Sequence, residues 1–150
     1  MSNSDSLSHS YPDVVGYYKV ASIRATQLNT AGNAVITLPI LSGGLTNGGA
    51  TGNSGGIILR RVTIQNPSGS VATANISVGT TSDGANLVTA NTVLSSVTAA
   101  GKYQDISIAT AYQTQVVSGA VTQCLYVNVN AASANSSTCD IVVWGDVVSF

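Results

Sequence analysis

Apolar side chains recur at every second position along several short stretches of this chain. Over residues 71–78, Ala72, Ala74, Ile76 and Val78 alternate with Val71, Thr73, Asn75 and Ser77. Just upstream, Ile58, Val62 and Ile64 share one face of residues 57–65. A period of two marks a strand with one buried and one wetted face. Between the two runs lies Asn66-Pro67-Ser68-Gly69, with Pro second and Gly fourth, which suits a tight turn. The pattern therefore predicts a β-hairpin. Further alternation places Ile106 and Ile108 opposite Asp105 and Ser107. It sets Leu125, Val127 and Val129 against Tyr126, Asn128 and Asn130, and Ile141, Val143 and Val147 against Asp140, Val142, Trp144 and Asp146. Strands are also expected over 17–23, 34–38 and 112–117, and with weaker periodicity over 87–97. About eight strands separated by turn clusters predict an all-β protein, an antiparallel β-sandwich for which a jelly roll is one fitting arrangement.

Two segments break the pattern. Residues 1–16 are Ser-rich, with Leu7 as the only large apolar residue before Tyr11, and bury too little to order themselves. They predict a flexible N-terminal arm, free in solution or ordered on a partner surface, ahead of a sandwich domain over 17–150. Within that domain residues 42–56 are nearly half glycine and predict a mobile loop. The loop lacks the Gly-Lys-Ser/Thr ending of a phosphate cradle and leads into Ile57-Ile58-Leu59, so no nucleotide-binding motif is read there.

Composition sharpens the picture. The 150 residues include only 7% charged side chains, against about 25% in an ordinary domain. All six acids are Asp, and five basic residues leave a net charge of −1. That balance cannot supply the cationic stripe that neutralises several phosphates, so no nucleic-acid partner is expected. No run of 18 apolar residues occurs, and no membrane span is expected. The first ten residues lack the basic and apolar regions of a secretory signal, which predicts synthesis in a cytosol. A surface with so little charge suits a subunit that packs against neighbours.

Catalytic chemistry finds little to work with. The only histidine, His9, lies in the arm, where no scaffold positions it beside a serine. Asp105, Asp140 and Asp146 fall on outward faces, as solubilising charges, and Asp83 alone is far short of a calcium site. No metal or other cofactor is expected, and the chain is expected not to be an enzyme. Cys124 and Cys139, placed on opposite faces of an expected hairpin, are predicted to be free thiols. Neighbours on a strand face opposite sides, so Arg60 and Arg61 form no common patch. Each is expected to pair with an Asp of the same chain or with a neighbouring subunit's acid. Tyr11, Tyr17 and Tyr18 cluster where the arm meets the domain and are candidate interface anchors, as are the two arginines.

The stretch from Leu59 to Gly79 (LRRVTIQNPSGSVATANISVG) and the closing pair CLYVNVN at 124–130 and DIVVWGD at 140–146 resemble the small β-sandwich head decoration, or cement, proteins of tailed bacteriophages. The likeness spans about residues 57 to 148 and lies in pattern and composition. It implies a non-enzymatic virion protein, made in the host cytoplasm, that binds the outside of an assembled capsid. Its expected partners are the major capsid protein of the same virion and further copies of itself, as a trimer over three-fold positions. The alternative is a tail-fibre or baseplate sandwich that binds host-surface glycan through Tyr103, Tyr126 and Trp144.

Overall fold

In a computed structural model the residues described are 18–30, 34–39, 55–83, 85–118 and 124–149. The expected arm over 1–16, with Tyr11, and most of the glycine-rich segment lie outside them, as does Tyr17. The last two glycines of that segment, Gly55 and Gly56, belong to a strand.

The elements are β1 (Tyr18–Gln27), β2 (Ala34–Pro39), β3 (Gly55–Gln65), β4 (Asn75–Gly79), β5 (Thr92–Val93), β6 (Gln104–Ser107), the single helical turn α1 (Thr110–Gln113), β7 (Val116–Ser118), β8 (Cys124–Ala131) and β9 (Thr138–Ser149). One sheet runs β1-β9-β3-β6, with β7 also paired to β3, and the other runs β2-β8-β4-β5. Every pairing is antiparallel. Apart from β7, this is the strand order of a jelly roll, two interleaved four-stranded sheets folded over one core. The all-β sandwich expected from alternation is the observed fold.

The core lies between the sheets. Ile57, Leu59, Val62 and Ile64 of β3 and Ile141 and Val143 of β9 face Ile76 and Val78 of β4 and Leu125, Val127 and Val129 of β8, and all are almost fully buried. Each such side chain stabilises the fold by about 1.5–3 kcal/mol relative to exposure. Leu94 and Val97, in the irregular stretch after β5, are equally buried.

The predicted hairpin over 57–78 is not formed. β3 and β4 lie in opposite sheets, and residues 66–74 arch across the end of the sandwich. Ser68 anchors the arch to β9, its N–H donating to the Thr138 carbonyl and its Oγ accepting from the Thr138 N–H. Hairpin and arch produce the same alternation, because both send every second side chain into one core. β8 and β9 are likewise split between the sheets, so the hairpin invoked for the cysteines is absent, and both thiols are nonetheless free. Two other expected strands are largely irregular. Residues 87–97 contribute isolated bridges and the short β5, and 112–117 divides into α1 and β7.

A β-bulge between Leu59 and Arg61, opposite Gly145 and Trp144, resets the register of β3. Leu59 points inward before it and Val62 after it, so the inward set is Ile57, Leu59, Val62 and Ile64 rather than one beginning at Ile58. The same insertion turns both Arg60 and Arg61 outward. The expectation that these arginines face opposite sides is thus corrected, for a bulge places two successive residues on one side.

Candidate functional site

The outer face of the β1-β9-β3-β6 sheet is built in rows fixed by register. Trp144 of β9 lies between Lys19 of β1 and Arg61 of β3. One row along, Val142 lies between Ser22 and Thr63, and Thr63 pairs with Asp105 of β6.

The indole of Trp144 is held by a closed set of contacts. Its Nε1–H donates to Thr63 Oγ1 at 2.9 Å, and the Thr63 hydroxyl donates to Asp105 Oδ1 at 2.6 Å. Arg61 stands 3.6 Å from Asp105 Oδ2, with its guanidinium carbon 5.6 Å from the centre of the indole ring. Thr63 thus serves as donor and acceptor at once, and the ring is oriented by the chain's own side chains. Arg60 is paired separately with Asp146 at 2.7 Å. Asp140 accepts from the Ala25 N–H and from Asn66 Nδ2, both at 2.9 Å. Ala25 and Asn66 each have φ of 49°, a left-handed conformation uncommon outside glycine, so one carboxylate supports two strained corners. These three aspartates do more than solubilise; each ties neighbouring segments together.

Two shallow depressions flank Trp144 and share Gln65 and Asn66 on their walls. The first, about 410 Å³, is lined by Arg61, Thr63, Lys102, Tyr103, Asp105 and Trp144. The second, about 560 Å³, is lined by Lys19, Ser22, Arg24, Asp140, Val142 and Trp144. Tyr103 is 64% exposed, and Val142 is buried although it lies on the outer side.

Every lysine and arginine of the chain therefore sits on this one side: Lys19, Arg24, Arg60, Arg61 and Lys102. The other sheet has no charged residue in any of its strands. Its outer rows carry Thr37, Tyr126, Ser77, Asn128 and Asn130, and Asn130 Nδ2 donates to Ser77 Oγ and Asn91 Oδ1, each at 3.2 Å. Two buried amide atoms of that sheet, Asn75 Oδ1 and Asn128 Nδ2, have no hydrogen-bond partner.

The structure brings together Tyr103 and Trp144 of the three expected glycan contacts and separates Tyr126, which lies on the opposite sheet. Tyr18 opens β1 opposite Gly145, beside the row that contains Lys19 and Trp144. Both arginines bridge to aspartates of their own chain. Sequence reasoning overlooked Lys19, Arg24, Lys102 and Thr63. Lys19, Arg24 and Thr63 share outward position on strands of a single sheet, and Lys102 lies just ahead of β6, a grouping that is invisible without the pairing.

Asp83 holds its own turn, accepting from Thr81 Oγ1 and the Ala85 N–H, and these bonds lower its pKa, that from Thr81 most. Among the described residues no three His, Cys, Asp or Glu side chains gather to hold a metal ion, and no helix is long and apolar enough to cross a membrane. The chain is defined by its fold and surface as a jelly-roll β-sandwich with one charged, aromatic-centred face and one uncharged face. No protein-family model, curated protein sequence or solved structure matches it.

Proposed function

We propose that the chain is a non-catalytic virion structural protein, a decoration protein that binds the outside of an assembled phage capsid and stabilises it as a trimer. The observation that carries this is the division of charge between the two sheets. A surface that docks against a shell or sister subunits must lose its water, and desolvating an ion costs several kcal/mol. Interface cores are accordingly depleted of charge. The β2-β8-β4-β5 sheet exposes Thr37 and Asn130 and part of Tyr126 with no charge in its strands to strip, while Ser77 and Asn128 of the same outer rows are already buried. The charged sheet is then free to face solvent. The aspartates that could have served as acid and base are each engaged in holding strands together.

The test is cosedimentation with shells that lack the protein. Lysine placed at exposed Thr37 or Asn130 is expected to leave the sandwich folded, checked by its melting curve, and to abolish shell attachment. Removal of residues 1–16 is expected to do the same, since an arm that orders on the shell supplies further contact area. Full attachment by all three forms would contradict the proposal.

Glycan binding is a second reading, favoured by the convergence of Tyr103 and Trp144 on one depression. In a tail-fibre or baseplate module that depression would serve host recognition.

A further inference from the structure

The division of charge leaves the cations unevenly matched. Arg60 and Arg61 have Asp146 and Asp105 beside them. Lys19, Arg24 and Lys102 make no ion pair among the described residues, yet all three border the depressions on either side of Trp144. Between them stand an indole locked by Thr63 and the exposed ring of Tyr103. The planar polar groups of Gln65, Asn66, Asp105 and Asp140 complete the walls.

We propose that this face is a binding site for an acidic saccharide, a short uronic-acid oligomer that stacks on Trp144 and Tyr103 and places its carboxylates against Lys102 on one side and Lys19 and Arg24 on the other. Each component answers a feature of that ligand. The apolar C–H face of a pyranose ring packs on aromatic surface, and an indole already oriented by the Thr63 hydroxyl gives that contact at little entropic cost. Sugar hydroxyls donate to Asp105 and Asp140 and accept from Asn66 and Gln65. Cations with no ion pair among the described residues favour a ligand bearing negative charge, and they draw it in over distances set by ionic strength. An acidic peptide matches the cations but would bring its carboxylates against Asp105 and Asp140 without hydroxyls to satisfy them. A neutral glycan leaves the three cations unused. The site is independent of shell attachment, which falls to the other sheet and the arm.

The single tryptophan of the chain is Trp144 itself, so its fluorescence reports on the site directly. Titration of the whole protein with oligogalacturonate is expected to change that emission saturably, with a matching heat in calorimetry and an affinity that falls as salt is raised. The methyl-esterified oligomer, which keeps the ring and loses the charge, is expected to bind at least about tenfold more weakly. Tyr103→Ala and Lys102→Gln, both at exposed positions, should each weaken binding several-fold, on the order of threefold to tenfold, with unchanged thermal melting and unchanged cosedimentation with shells. Absence of both signal and heat would overturn the proposal. Equal binding of the methyl ester would overturn it in favour of a neutral glycan, and equal binding of poly-aspartate in favour of an acidic protein partner. Lost shell attachment in the Lys102→Gln variant would instead move the docking surface to this sheet.

Discussion

Thr63 shows how much one small side chain can decide. Its hydroxyl sits between Trp144 Nε1 and Asp105 and fixes the orientation of the largest ring in the chain. Nothing in the sequence marks it, because a threonine on a strand is ordinary and its partners lie 42 and 81 residues away. The outward positions of Trp144 and Asp105, by contrast, follow from the alternation of their own strands. Cys139 carries a prediction at this scale. It is fully buried, and burial, with a smaller contribution from Asp140, pushes its thiol from 9.0 up to about 12. The unfolded chain therefore releases this proton first. The group's contribution to stability is complete below pH 9 and is lost as pH rises toward 12. Relative to Cys139→Ala, the unaltered protein should lose stability over that window, with a slope approaching about 1.4 kcal/mol per pH unit. Denaturant melts of both forms across the pH series measure it, and parallel curves would contradict the burial of the thiol. At pH 8 the native Cys139 should also resist alkylation while the partly exposed Cys124 reacts.

At the scale of elements, the strands were legible and their partners were not. Alternation located β3, β8 and β9, with the inward Val62 and Ile64 of β3, Leu125, Val127 and Val129 of β8 and Ile141 and Val143 of β9, because a buried face demands apolar groups at every second position; ahead of the bulge it chose Ile58 where Ile57 and Leu59 point inward. It could not say which sheet a strand joins. The run after Pro67 reads the same whether it turns back beside β3 or crosses to the far sheet, and the buried Pro67 with its Ser68–Thr138 bonds settles it by contacts distant in sequence. The bulge at Arg60 was hidden for a related reason. One extra residue shifts the parity of everything beyond it, and the partner strand carries a glycine opposite the bulge. There Gly145 approaches β3 so closely that an added Cβ would fall on the carbonyl oxygen of Ile58, with Ile57 Cγ2 only 3.1 Å away. Backbone cannot yield as a flexible side chain can. Gly145→Ala is expected to cost about 1–3 kcal/mol or more in a denaturant melt and, through the adjoining residue, to alter Trp144 emission. An unchanged melting curve would show that the close approach is not maintained in solution.

For the whole molecule, the arrangement of charge matters more than its amount. Composition disclosed that cations are few, and from that alone a diffuse, nearly neutral surface was the natural expectation. Sheet topology gathers all of them on one side and leaves the opposite sheet without any, a partition that depends on which strands pair. The sandwich then has two surfaces suited to different work: one that can be covered at small desolvation cost and one that meets an acidic saccharide in solvent. A decoration protein is a component of the virion shell in bulk. Quantitative mass spectrometry of purified particles from the chain's source, set against the major capsid protein, tests this directly. Decoration predicts a copy number in near-constant, stoichiometric proportion to the shell subunit. A handful of copies per particle, or none, would contradict it.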